Sequence, residues 1–299
     1  MNVSLRCPIT SGQHDSLDVL TDIISAELFA MGATAIGEEQ PRPNTAEGLA
    51  DVVLVAGFVS HPDAQAALDR LGTQHRDIVS ASTINAASND WTIAQRAGLE
   101  PTQIGPWHIR APWDPVPDVD VKHDIIIDPG AAFGHGAHPS TVMAIGLVLG
   151  TSGHQDCLVD VGTGTGVIAI IAARLGMRVE AIESDPAGAE SATSNIERNS
   201  SSTNSVSELI TLHVGDAAVA YSPAEDDLVV ANVTLDVQRR IAPTMDSART
   251  VILSGLLCRQ VGEATALYPE HGCRTIRTHG EWASVELVRP KRPTARIAS

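Results

Sequence analysis

Residues Cys157 to Ile171 read CLVDVGTGTGVIAII, an apolar run broken by three glycines spaced two apart. The pattern predicts a buried strand, a turn over Gly162-Thr163-Gly164-Thr165-Gly166, and a helix that starts at once with VIAIIAARLG. Glycines let a backbone turn sharply and let a ligand approach the main chain, while a helix start presents unpaired N–H groups to it. A dinucleotide fingerprint, GxGxxG, would need a third glycine at position 167, where this chain has Val. The GxGxG spacing disfavours NAD. It suits S-adenosylmethionine, which has no phosphate and presents a carboxylate, an amine and an adenosine.

The next strand, in MRVEAIESDP, ends at Glu183, placed where an acidic side chain accepts hydrogen bonds from both ribose hydroxyls. A plain cap for the helix after Asp185-Pro186 is the other reading. Asp216, in HVGDA, follows the third strand and suits either the adenine amine or the N-cap of a short helix. The fourth strand, in DLVVANVTLD, ends at Asn232, at the carboxyl edge where open α/β sheets bind ligands. An Asn there can accept from a substrate N–H, although it is also an ordinary turn residue.

Working outward, strands are expected at CLVDV, MRVEAIE, LITLHV, DLVVAN, TVILSG, CRTIRTHG and WASVELVR, with helices between the first six. Such alternation predicts a mainly parallel sheet covered on both faces, closed by an antiparallel hairpin where the helix is missing. Upstream, VSLRCPI, ATAIGEE, ADVVLVAGFV and HRDIVSAS read as strands. SLDVLTDIISAELFAMG puts Leu17, Leu20, Ile24, Leu28 and Met31 on one helical face, and PDAQAALDRLG is a second short helix. The order βαββαβ is that of a small ferredoxin-like sandwich. The small polar stretch SASTINAASND (80–90) suits a linker and NSSSTNSVS (199–207) a surface loop. The expected organisation is a ferredoxin-like domain over 1–80, a linker and joining segment over 81–120, a large α/β domain over 121–290 and a basic tail over 291–299.

At 299 residues and 43% hydrophobic content the chain can bury a substantial core. No run of eighteen apolar residues exists, so no membrane span is expected, and MNVSLRCPITSGQ does not read as a secretion signal. Cys7, Cys157, Cys258 and Cys273 are scattered without a CxxC pair, which argues for a reducing cytoplasm. Net charge is −16, and only Lys122 and Lys291 are lysines. No basic face for nucleic acid is evident, and the acidic body favours a basic partner such as a lysine-rich protein.

The stretch DPGAAFGHGAHPST, Asp128 to Thr141, precedes the helix PSTVMAIGLVLG. His135 and His138 have HxxH spacing, but Pro139 disfavours helix at His138, and no third ligand joins Asp128 and His123 nearby. No metal is expected. Thr141, in the first turn, can carry a hydroxyl to the methionine end of the cofactor.

DPGAAFGHGAHPST resembles the DPGxAFGTGxHPTT signature of the ribosomal protein L11 methyltransferase (PrmA) family. The similarity runs on through LVDVGTGTGVIAI, VVAN, LSGLL and GEWASVEL, and back to DWTIAQRAGLEPTQIG and WHIRAPWDP, covering about two thirds of the chain at motif level. The resemblance implies a ferredoxin-like recognition domain joined to a class I methyltransferase domain of Rossmann-like α/β fold. It also implies S-adenosylmethionine as cofactor and a ribosomal large-subunit protein as partner, methylated at a lysine side chain or an α-amine in the cytoplasm. The cofactor contacts it implies fall on Thr141, Gly162, Glu183 and Asn232. With Thr163, Gly164 and Asp216 from the turn and the third strand these make the expected cofactor site, and Asn232 is the expected catalytic residue. Departures from the family pattern are His135 and Ser140 in place of Thr, Glu183 in place of Asp, and Gln95 and Leu99 at positions usually aromatic. Another protein or a small amine as acceptor, and a binding module without turnover, are the alternatives.

Overall fold

The computed structural model describes residues 3–10, 17–33, 35–39, 41, 50–58, 60–76, 79, 82–86, 101–129, 136–151, 156–200 and 206–290. The chain divides into two compact units, one of residues 1–100 with 128–133 and one of 101–127 with 134–299.

The first unit has the element order β1 (Val3–Ile9), α1 (Leu17–Ala30), β2 (Ala35–Glu39), β3 (Val52–Phe58), α2 (His61–Gln74), β4 (Thr83–Ala86). Its sheet runs β2-β3-β1-β4 with every pairing antiparallel. Alternate residues Leu5, Cys7 and Ile9 of β1 and Leu54, Ala56 and Phe58 of β3 form one core with Leu20, Ile24 and Leu28 of α1 and Ala64, Ala67 and Leu71 of α2. Period two on the strands meets periods three and four on the helices, so one sheet face carries both helices. The last strand lies later than the 75–82 expected from sequence. His75 ends α2, donating its backbone N–H to Leu71 O at 2.7 Å, and its ring lies 2.8 Å from Glu27. Among the described residues Val79 makes a single bridge to Ile9, and the paired strand begins at Thr83, so part of the 80–90 stretch expected as a linker is the sheet's edge strand against β1.

In the second unit β5 (Thr102–Ile104), β6 (Trp107–Arg110) and β7 (Asp124–Ile126) form a three-stranded sheet. The β6–β7 crossover is closed at its base by Arg110, whose Nε and Nη2 reach the two oxygens of Asp124 at 2.9 and 2.8 Å. This two-toothed grip on a buried guanidinium fixes direction as well as distance. The main sheet is built from β8 (Cys157–Val161), β9 (Arg178–Glu183), β10 (Ile210–Val214), β11 (Leu228–Asn232), β12 (Thr250–Leu257), β13 (Gly272–His279) and β14 (Trp282–Val288). Their order is β10-β9-β8-β11-β12-β14-β13. Pairings are parallel from β10 through β12 and antiparallel for β12–β14 and β14–β13, as the missing last helix predicts.

Both faces are covered, which is why the run LVVA, Leu228 to Ala231, is apolar throughout. Leu158, Leu228, Val230 and Ile252 pack with α3 (Pro139–Thr151) and α4 (Val167–Arg174), joined by Ile196 of α5 (Pro186–Arg198). Their alternates Val159, Val161, Val229, Ala231 and Val251 pack on the other face with α6 (Ala217–Ala220), α7 (Leu235–Met245) and α8 (Val261–Ala266). The polar stretch from Asn199 is not wholly a surface loop. Asn199 is buried, and its amide exchanges two hydrogen bonds with the backbone of Ile126, 2.9 Å from its N–H and 2.7 Å from its carbonyl. A side-chain amide here satisfies an edge of β7 that no strand covers among the described residues.

Candidate cofactor and acceptor site

The expected site residues meet at the carboxyl ends of neighbouring strands β10, β9, β8 and β11, where the strand order reverses direction. Gly162 leaves β8 with φ +70°, and a Cβ there would stand 2.5 Å from Val233 Cγ1. Glycine is therefore required both for the turn and for its contact with the residue after Asn232. The N–H groups of Gly162 and Thr163 both donate to Ile182 O, at 2.9 and 3.0 Å, tying the turn to β9. Gly166, at φ +83°, caps α4.

Thr163 turns its hydroxyl inward and donates to Asp160 Oδ2 at 2.7 Å. Asp160 is fully buried, and burial pushes its carboxyl up to about 7. Hydrogen bonds from Thr163 and the Ala169 N–H pull the other way, and the nearby Glu183 charge adds a further upward push. Sequence reasoning passed over Asp160, although a lone acid inside an apolar strand is a signal in itself, since such a group needs a partner.

Glu183 ends β9 with both oxygens engaged, Oε2 by the Gly164 N–H at 2.9 Å and Oε1 by the Asp185 N–H at 3.0 Å. A carboxylate oxygen accepts two bonds, so each keeps a lone pair for a ligand hydroxyl. The helix-capping role is taken by Asp185, whose Oδ1 accepts from the Ala187 N–H at 3.0 Å. A Cβ at Gly188 would lie 3.0 Å from Glu183 Cγ and 3.1 Å from Cδ. The bare helix position thus makes room for a side chain one methylene longer than Asp. No pattern in the sequence marks Gly188.

Asp216 is held near Glu183 through its neighbour Gly215, whose N–H donates to Glu183 O at 2.8 Å. Its Oδ1 accepts from the Ala218 N–H at 3.0 Å and lies 3.6 Å from Arg240 Nη2, so the capping alternative is realised. On the other side, Asn232 Nδ2 donates to Thr141 Oγ1 at 3.2 Å. The two residues stand 91 apart in sequence and touch in space. With Nδ2 engaged by Thr141, the acceptor atom of the Asn232 amide is its Oδ1.

Thr141 owes its place to the start of α3. His138 Nδ1 accepts from the Ser140 N–H at 3.2 Å and lies 2.7 Å from Ser140 Oγ, with its ring edge-on to Trp282 at 4.8 Å. His138 is thus a helix cap. Among the described residues no group of three His, Cys, Asp or Glu could hold a metal; His135 lies outside them. The site offers an acidic acceptor for a diol, a glycine turn spaced GxGxG rather than GxGxxG, and an Asn–Thr pair. That donor and acceptor set fits an adenosine-bearing, phosphate-free ligand.

A family model described as ribosomal protein L11 methyltransferase (PrmA) matches residues 14–290. The ribosomal protein L11 methyltransferase of Heliobacterium modesticaldum is 33% identical over 205 residues, 66% of this chain and 63% of its own length. That of Desulfitobacterium hafniense is 30% identical over 206 residues, 67% and 64% respectively. The matches therefore span less than two thirds of the length of these two relatives. The Myxococcus xanthus relative aligns further, over 80% of this chain and 82% of its own, at 26% identity. A crystal structure of ribosomal protein L11 methylase from Lactobacillus delbrueckii subsp. bulgaricus superposes with a TM-score of 0.56 at 23% identity, covering 64% of this chain and 100% of that one. This likeness shows the class I methyltransferase fold.

Proposed function

The chain belongs to the ribosomal protein L11 methyltransferase (PrmA) family, and from that membership we propose that it is an S-adenosylmethionine-dependent methyltransferase acting on amines of ribosomal protein L11 in the cytoplasm. The observation that carries this reading is the Asn232–Thr141 pair set against the glycine turn and Glu183. When bound, S-adenosylmethionine supplies an electrophilic sulfonium methyl group. Glu183 would receive the ribose hydroxyls, Gly162 to Gly164 would line the approach of the methionine end, and Thr141 would close it. Asp216 would offer a remaining oxygen to the adenine amine.

The acceptor is a lysine side chain or an α-amine. A lysine near pKa 10.4 is protonated at neutral pH and must first lose a proton. Desolvation in the cleft lowers that pKa without a dedicated base. Asn232 Oδ1 then accepts from the amine N–H and aims the lone pair, so most of the acceleration comes from positioning. In the division of labour we propose, residues 1–80 recognise the protein, 81–120 join, 121–290 transfer the methyl group and 291–299 form a basic tail. Within the joining segment, β4 is part of the first unit's sheet and the β5–β6 hairpin belongs to the second compact unit.

Purified chain incubated with methyl-labelled cofactor and ribosomal protein L11 is expected to label that protein at amine nitrogens. Label confined to another protein or a small molecule would replace the acceptor. Cofactor binding without transfer to any acceptor in a whole-cell extract would leave a binding module in place of an enzyme.

A further inference from the structure

The LSGLL and GEWASVEL segments carry two serines, Ser254 and Ser284, that are fully buried and are not among the expected ligand-facing residues. Ser254 lies on β12 directly in register with Asn232 of β11. Its hydroxyl donates to Ser140 O at 2.8 Å. That commits its one proton, so Ser284 Oγ, 2.5 Å away, is the donor in the bond between the two serines. The Ser254 carbonyl accepts from Gln238 Nε2 at 2.7 Å, and the same amide reaches Val233 O at 3.0 Å.

Ser140 immediately precedes Thr141, and Val233 immediately follows Asn232. With the Asn232–Thr141 bond, the contacts form a closed ring that passes through Ser254. The strand bulges between Leu253 and Leu256, and Gly255 takes φ +74° where a Cβ would lie 2.8 Å from Val233 O. This bulge presses Ser254 and the Asn232 turn together.

We propose that Ser254 is a positioning residue that sets the separation of Thr141 and Asn232, and that Ser284 and Gln238 hold Ser254 in that role. It would act through Ser140 on one side and Val233 on the other, without touching substrate. The proposal rests on the reading of Thr141 and Asn232 given under Proposed function, so its test has an arm independent of turnover.

In the full-length chain, Ser254→Ala is expected to raise backbone hydrogen exchange in the first turn of α3 about tenfold, the size of one lost buried hydrogen bond, with the later turns unchanged. Turnover on ribosomal protein L11 should fall about tenfold with little change in KM. Adding Thr141→Val should then cost less than it does in the unaltered chain, because coupled residues are not additive. Ser284→Ala should move each quantity in the same direction by less, and serves if Ser254→Ala does not fold. First-turn exchange unchanged in both serine variants, or fully additive effects of Ser254→Ala and Thr141→Val, would overturn the proposal. An unaltered chain that neither binds nor turns over the cofactor would sink the functional reading, and the exchange arm would still decide the role of Ser254.

Discussion

Glu183 and Gly188 form a matched pair, a long acid and the helix position that leaves space for it. Gly188→Ala should favour α5 intrinsically, since Gly costs about 1 kcal/mol relative to Ala in a helix. It should also push the carboxylate from its seat. The expected outcome is an unchanged or raised melting temperature with S-adenosylmethionine affinity about tenfold weaker, roughly one charge-assisted hydrogen bond, measured by calorimetry. Asp160 yields a pH prediction. Its folded value of about 7 lies above the ordinary carboxylate value, so between the two the folded chain holds a proton that the unfolded chain has lost. The stability this group contributes is full below an ordinary value of about 3.9 and drains away as pH rises through about 7. Asp160→Asn keeps an acceptor for the Thr163 hydroxyl and removes the titration. The stability difference between the two chains, from urea midpoints at several pH values, should shift in favour of the Asn variant as pH rises. At this scale the sequence displays the types of the proposed ligand-facing residues but not their supports: nothing near position 188 in the chain refers to position 183 except the fold.

Elements were easier to read, with instructive exceptions. In the second unit, alternation of apolar strands and helices announces a parallel sheet, because two-sided burial explains runs such as LVVA. In the first unit the last strand was misplaced, since His75 and Val79 look strand-like locally while His75 is spent on ending α2 and on Glu27. Asn199 was equally hidden, because its partner backbone at Ile126 is 73 residues away. The β12 bulge sets Gly255 against the backbone of Val233, the residue after Asn232. Gly255→Ala should destabilise the chain by about 3 kcal/mol, combining left-handed backbone strain with a backbone clash. Denaturant midpoints should fall while the slope stays constant. A variant as stable as the parent would mean that β12 can straighten without loss.

For the molecule as a whole, the net charge of −16 bears on encounter rather than on fold. If the acceptor is a basic ribosomal protein, raising salt should raise KM for that protein steeply and leave cofactor affinity nearly constant. Equal salt sensitivity of the two would argue against charge-guided docking. The strand order was only partly apparent beforehand. Alternation foretold the closing hairpin but not that β14 would lie inside the sheet, although the buried WASVELV and the exposed GCRTIRTH carry that distinction in their composition. The inward place of β14 has a consequence for biosynthesis. A polypeptide emerges amino end first, so Thr141, Gly162 and Asn232 are all made long before Trp282 to Val288 arrive to cover β12. Until residues 282–288 leave the exit tunnel, the nascent chain carries the proposed ligand-facing groups while β12 still lacks its antiparallel neighbour.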